Sequence, residues 1–406
     1  MLAFLPGMNR APHPAAKVAL ALLAVMGFGL AHIDSILLSG VSQWLLNIAI
    51  WAPLFWVGRI NVSPRTLRNA LLLLWGFHVA GSIVGVLQVY DPDRFAPSPE
   101  FVRKLMGPNA DALVITLSDG RRMWRPCGLS DTPGGAAASG SFAVVVGMML
   151  VMANVRWFVR AAAAAGIVAG IFCIYICEIR SILIITVISV IALAAVQFFQ
   201  GRLSRAATLA ILAPWIAVGC LFWIKSVGGD AATDRLRTLT AAAPGSVYYR
   251  NRGVFIEHSL LEELPKYPLG AGLGRYGMMY SHFGDKRIRP LYAEVQLTAW
   301  LYDGGLLLVL LGYTAVGIAC YVSLRLAISR RSDPLLRDYA AVIAALNIGW
   351  LAITFNYPLF LGQGGMIFWL LNGALFATAQ RPERVLTRTQ TMRAAATKKE
   401  DGVAVR

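Results

Sequence analysis

Charge is scarce in this chain. Only 14% of its 406 residues are Asp, Glu, Lys or Arg, while 57% are hydrophobic, and the mean hydropathy is +0.61. Soluble domains carry about a quarter of their residues as charges, so a cytosolic enzyme is excluded by composition. Cysteine is scarce too, with five in all. An odd number cannot pair fully within one chain; Cys173, Cys177, Cys220 and Cys320 lie in or at the ends of apolar runs, and only Cys127 falls in a long loop. Without a CxxC pair or a Cys/His cluster, the sequence indicates neither a disulfide framework nor a zinc site, and it calls for no cofactor. The alternation of apolar and polar residues over about ten positions that marks an outer-membrane barrel is also missing.

What is present is a series of ten continuous apolar runs, at 17–33, 38–58, 69–90, 137–155, 157–176, 181–199, 207–226, 294–324, 339–356 and 360–379. An α-helix needs about 20 residues to cross about 30 Å of hydrocarbon, and these runs are of that order. The expected fold is an all-α polytopic membrane protein with about ten spans, a single transmembrane domain over 1–380 and a basic tail over 381–406. The first run is too long for the apolar core of a signal peptide and reads as a retained helix. The eighth is too long for one perpendicular crossing and should tilt or begin above the membrane.

Orientation follows from where Lys and Arg fall, because cytoplasmic loops retain them. With both termini inside, the inner segments hold 20 of the 37 basic residues against five acids, Asp333, Asp338, Glu383, Glu400 and Asp401. The remainder is nearly neutral. The net charge of +16 is then mainly a topology signal and an attraction to the inner leaflet. No basic stripe is interleaved with exposed aromatics, so nucleic acid is not an expected partner.

Two long segments, 91–136 and 227–292, fall outside. The first reads as a β-hairpin around Asp119-Gly120. In the second, Val254, His258, Leu261 and Leu264 share one helical stripe, interrupted by Glu257, which predicts a short helix near the outer membrane surface. Loops this long between spans usually carry function.

The chemistry-bearing residues cluster on that side. Arg180 opens the sixth run; it reads either as an interfacial arginine reaching to headgroups, with Glu178 beside it, or as a bidentate donor to a phosphate. Arg250 and Arg252 precede the surface helix, where a positive charge at a helix start is unfavourable unless an anion offsets it, although solvated surface charge is the plainer reading. Gly270, Gly272 and Gly274 form a Gly-x-Gly-x-Gly run that follows no strand, so it reads as backbone passing close to a helix or ligand. Asp91-Pro92-Asp93 reads as a span-ending turn, and His78 as a packed histidine. Glu294 opens the eighth run, followed by more than thirty residues with one other carboxylate, Asp303. It is either a favourable charge at a helix N-terminus or a base.

The order of these motifs resembles the O-antigen ligase and Wzy-type polysaccharide polymerase superfamily of bacterial membrane glycosyltransferases. Arg125-Pro126-Cys127-Gly128-Leu129-Ser130-Asp131-Thr132-Pro133 resembles its Arg-x-x-Gly-x-x-x-x-Pro element; Glu178-Ile179-Arg180-Ser181 resembles its Ser-Arg element. The stretch from Arg250 to Gly277, containing Pro268-Leu269-Gly270-Ala271-Gly272-Leu273-Gly274-Arg275, resembles its arginine, helix and glycine progression, and Phe368-Trp369-Leu370-Leu371 its aromatic final span. The resemblance covers about residues 120 to 380. It implies metal-independent, inverting transfer of a glycan from an undecaprenyl-diphosphate carrier at the periplasmic face of the inner membrane, with other polysaccharide-assembly proteins as further partners. It also implies that Arg125, Arg180, Arg250, Arg252 and Arg275 bind substrate. Where the ligase branch has a His-Asn base, alignment of Asp303-Gly304-Gly305-Leu306 with the family's Glu-Thr-Gly-Leu puts Glu294, with His282 the competing candidate. The expected function is polymerisation of exopolysaccharide or O-antigen repeats. A ligase acting on lipid A core and a non-catalytic transporter of lipid-linked glycan are the alternatives.

Overall fold

A computed structural model describes residues 11–106, 114–116, 122–130, 132, 134–153, 155–177, 179–228, 244–285 and 287–380. The long helices are α1 (Ala16–Gly29), α2 (Leu37–Trp56), α3 (Pro64–Tyr90), α4 (Gly135–Met152), α5 (Trp157–Ile176), α6 (Arg180–Phe199) and α7 (Leu203–Gly228). A helical segment over 244–266, α8, and a short helix, α9 (Gly277–Phe283), follow. The chain ends its described part with α10 (Gln296–Ile328), α11 (Pro334–Ile353) and α12 (Gln363–Ala379).

Eight helices among the described residues are long and apolar enough to cross a membrane, the first of them α2 with the 3-10 turn that ends at Arg59. The protein is therefore a multi-pass α-helical membrane protein. Helices α1 and α12 have 14 and 17 residues, which at 1.5 Å per residue makes both shorter than the hydrocarbon layer. The span expected over 17–33 thus ends early, at Gly29, where the chain turns through residues 30–36.

Local chemistry explains the boundaries. Ser63 caps α3 by accepting from the Thr66 amide at 3.0 Å, with Pro64 as the first helical residue. Asp333 caps α11 in the same way, with Pro334 following. Gly201 turns between α6 and α7 at φ +77, the left-handed conformation that favours glycine. Small residues bring helices together: a Cβ on Gly140 of α4 would lie 2.6 Å from the Gly170 carbonyl of α5, a close helix approach of the kind membrane bundles use.

Bonds between chain-distant residues define the two ends. At the basic end, Gln380 donates to the Ala11 carbonyl at 2.9 Å, and Asp338 of α11 pairs with Arg202 and Arg205. The opposite end carries the long connections. There Val114–Thr116 pairs antiparallel with Arg122–Trp124, Thr116 opposite Arg122, as the hairpin reading predicts; its turn, 117–121, lies outside the described residues, as does the basic tail 381–406. An aromatic core lies beneath the 355–362 connection, with Trp51 and Trp369 4.4 Å apart and Trp300 stacked on Phe360 at 5.6 Å.

The surface helix is present. Val254 and Leu261 are exposed, while Ser259 is buried and shares a 2.6 Å hydrogen bond with Thr298 of α10. Two π-helical turns, Tyr249–Gly253 and Ser259–Glu263, widen α8 and shift the side-chain register away from the 3.6-residue period on which that stripe was built.

Candidate functional site at the loop-bearing end

Helix α8 lies against the start of α10 and the α11–α12 connection through its polar residues. Tyr248 donates to the Phe355 carbonyl at 3.0 Å, and the Phe255 ring lies 6.0 Å from that of Tyr292. Arg252 is the central contact. Its Nε donates to Asn356 Oδ1 at 2.9 Å, and its Nη1 forms an ion pair with Glu294. Tyr292 donates its hydroxyl to the same carboxylate. Burial first, and then this bond, push the Tyr292 phenol up to about 12, so it stays protonated as a donor at neutral pH. The structure thus brings together Arg252 and Glu294, residues that the sequence placed in separate motifs. Glu294 lies just ahead of α10, whose first residue is Gln296.

A second polar group lies deeper. The glycine run wraps a break in α10: Gly304 and Gly305 have non-helical backbone, with Gly305 at φ +65. Backbone groups released by the break are taken up by the loop. The Ala271 amide donates to the Tyr302 carbonyl at 2.7 Å, and the Leu306 amide to the Pro268 carbonyl at 3.2 Å. Such a break inside a membrane helix is sustained only where other groups restore the lost hydrogen bonds. Gly270, Gly272 and Gly274 all have positive φ; a Cβ on Gly270 would stand 3.0 Å from the backbone of Gly304, which is the close backbone approach that the glycines allow.

Asp303 anchors this arrangement. It is 1% exposed; Tyr276 donates to it at 2.6 Å and Gln43 of α2 at 2.7 Å. The Gln43 side-chain Oε1 accepts the Gly274 amide at 3.0 Å, and Ser39 donates to the Gly274 carbonyl at 2.8 Å. These bonds fix Arg275, whose guanidinium donates to the Ala271 carbonyl at 3.2 Å and lies 3.7 Å from Asp34. The buried Arg275 Nε has no hydrogen-bond partner among the described residues. A buried N–H without an acceptor is costly, and an anion beside it would satisfy it.

The other expected residues stand apart from these two groups. Arg250 is exposed on the same π-helical turn as Arg252. Arg180 is the first residue of α6, at the same end of the bundle, and Arg125 is half-buried in the loop after the hairpin. Gly134, just ahead of α4, lies beside the residue that precedes Arg180, for a Cβ on Gly134 would meet the Ile179 side chain at 2.6 Å. His282 is exposed on α9, which packs on α2 and on the short helix Pro99–Met106, whereas Glu294 faces α8. His78 is buried and bonded to Ser139 at 3.1 Å, a packed histidine, and Asp91 ends α3.

Sequence reasoning missed Asn356, Tyr292, Tyr276, Gln43 and the anchoring part played by Asp303. For Asp303 there was a signal, a lone carboxylate in an apolar run followed by two glycines. No protein-family model matches the chain, and no curated protein sequence does.

Proposed function

We propose that the protein polymerises glycan repeat units carried on undecaprenyl diphosphate, with the loop-bearing end facing the periplasm and the basic end the cytoplasm of a bacterial inner membrane. The observation that supports this best is the Arg252–Glu294 pair held by Tyr292 and Asn356. A guanidinium suited to a diphosphate and a carboxylate suited to a proton occupy one place.

In this reading the pair is a resting state. The diphosphate of the donor competes for Arg252, and Glu294, released from it, takes the proton of the acceptor hydroxyl. The acceptor oxygen forms its bond to the anomeric carbon as the bond from that carbon to the diphosphate oxygen breaks, in a single inverting displacement. The diphosphate leaves with the electron pair and is stabilised by Arg252; the resemblance adds Arg125, Arg180, Arg250 and Arg275 as further donors, which the bound carrier would have to reach beyond the pair. Tyr292 orients the carboxylate.

The test is direct. Purified protein in detergent, given a lipid-linked oligosaccharide with neither ATP nor an ion gradient, should lengthen it. A ligase would lengthen nothing until lipid A core was added. A second reading draws on Asp303: a buried carboxylate beside a broken membrane helix is also how transporters build binding sites. Binding of the lipid-linked glycan without any new glycosidic bond would favour it.

A further inference from the structure

At the basic end, α6, α7, α10 and α11 converge on a cluster of arginines with too little opposing charge among the described residues. Asp338 of α11 lies between Arg202 and Arg205 and pairs with both. Arg337, next to it, turns to backbone carbonyls, its Nε to Ala327 at 3.4 Å and its Nη2 to Gln200 at 3.5 Å. Gln200 ties the group together by donating to the carbonyls of Ala327 at 3.0 Å and Arg337 at 3.3 Å. Asp333, the nearest other acid in the chain, accepts the Leu335 amide at 2.7 Å as the cap of α11. Arg325 in the last turn of α10 and Arg330 and Arg331 in the α10–α11 connection add further positive charge at this end.

The cluster therefore holds its guanidiniums against mutual repulsion. Burial first, and then the fields of Arg205 and Arg337, hold the Arg202 guanidinium below its usual range. The starts of α7 and α11 lie here as well, and the positive ends of their dipoles add to the field. The rim is apolar: Phe198, Phe199, Leu203 and Leu335 are exposed on helices that are long and apolar enough to cross a membrane. A soluble anion would gain nothing from that rim. A molecule with an anionic head and hydrocarbon tails matches both parts.

We propose that this cluster is a binding site for an anionic phospholipid, whose headgroup phosphate lies against Arg202 and Arg205 while its acyl chains run along Phe198 and Phe199. The phosphate supplies the charge that Asp338 alone does not. The lipid would fasten the α6–α7 turn to the start of α11, and the site is independent of any glycosyl transfer at the other end.

The test counts lipids on the full-length protein, purified in a non-ionic detergent, by native mass spectrometry against phosphatidylglycerol and phosphatidylcholine. Wild type should retain phosphatidylglycerol in clear preference, and Arg205→Gln should lower that retention about five-fold, the effect of one basic side chain at a membrane surface. Asp338→Asn, which frees two guanidiniums, should raise it, a direction that damage to the fold would not produce. Arg65→Gln, at the same end but outside the cluster, should change it little. Equal retention of the two lipids overturns the proposal, as does an equal loss in Arg65→Gln and Arg205→Gln, since binding would then be diffuse. A fall in retention with Asp338→Asn also counts against it. Displacement of the lipid by millimolar inorganic phosphate would assign the cluster to a soluble anion instead.

Discussion

Gln43 donates its side-chain amide to both carboxylate oxygens of Asp303, at 2.7 and 2.9 Å, across 260 positions of sequence. This contact ties the second span to the break in α10 and, through Gly274 and Tyr276, to the loop that carries Arg275. Asp303→Asn would set an amide donor against that of Gln43 and leave Tyr276 with a poorer acceptor. An unsatisfied buried polar group costs about 1–3 kcal/mol. The expected result is a lower unfolding temperature with faster amide exchange over 267–276, while exchange in α4 and α5 is unchanged. Uniform loss of protection would mean that Asp303 supports the whole bundle, not this loop.

Gly270→Ala tests the same contact from the loop. Its φ is +100 and its Cβ would be 3.0 Å from Gly304 Cα and N, so neither strain nor overlap is easily relieved. A left-handed conformation alone costs an L-residue about 1–2 kcal/mol. Gly201→Ala has a comparable φ of +77 but nothing within 4 Å of the added carbon. It should destabilise less, and equal thermal shifts in the two variants would refute the role given to backbone approach.

Helix α8 should respond to pH. His258 lies 3.1 Å from both Glu262 and Glu263, and its pKa is raised, chiefly by the hydrogen bond to Glu262. A histidine raised above its unfolded value of about 6.5 stabilises the fold fully below that pH, and the contribution fades as pH climbs through the folded value. Amide protection of 254–266 should therefore be greater at acidic than at alkaline pH, and His258→Gln should flatten the difference. An unchanged profile in that variant would remove His258 as the source.

Topology can be checked with reporters. The +15 charge of the inner segments against about neutrality elsewhere predicts that fusions after Gly120 and Gly284 report the periplasm, and a fusion after Arg331 the cytoplasm. The reverse pattern would move the candidate site to the wrong side for a periplasmic reaction.

Local signals account for what the sequence disclosed. The apolar runs, the hairpin strands and the glycine run each depend on neighbours in the chain; most of the runs are helical near their expected bounds, although α1 stops at Gly29. The register of α8 was not legible, because a π-helical turn arises from packing on α10 and leaves no periodic mark. The break in α10 was signalled by Gly304-Gly305, yet the length of that run was read as tilt or a start above the membrane. Pairing of Arg252 with Glu294 could not be seen at all: the residues are 42 apart, and only the packing of α8 against residues 292–298 and 355–356 brings them into contact.

Arginine geometry separates a diphosphate clamp from surface charge. Arg252 uses Nε for Asn356 and Nη1 for Glu294, a fork that the single ammonium of lysine cannot reproduce. Arg252→Lys, Arg180→Lys and Arg250→Lys should each lose most polymer output. The last two should keep wild-type expression and unfolding temperature, since exchanging a surface charge costs little stability. Near-normal output from Arg180→Lys and Arg250→Lys would leave those two as interfacial arginines reaching to headgroups.

In the proposed reaction Glu294 and His282 are the two candidates to accept the proton, and the structure makes their comparison sharper. Glu294 is held by Arg252 and Tyr292, whereas His282 is exposed on a different helix, α9, against α2. Glu294→Gln keeps the size of the side chain and can still accept from Tyr292 and Arg252 through its amide oxygen, but it cannot take a proton as a carboxylate does. Loss of a general base typically costs about a hundred- to ten-thousand-fold in rate. The variant should therefore lose detectable polymer while still binding the lipid-linked donor. If the diphosphate must displace Glu294 from Arg252, donor affinity in Glu294→Gln should rise, because the competing ionic partner is gone. His282→Ala should retain most activity. Full activity in Glu294→Gln with loss in His282→Ala would transfer the role to the histidine, and weaker donor binding in Glu294→Gln would show that the carboxylate orients Arg252 instead of competing with the substrate for it.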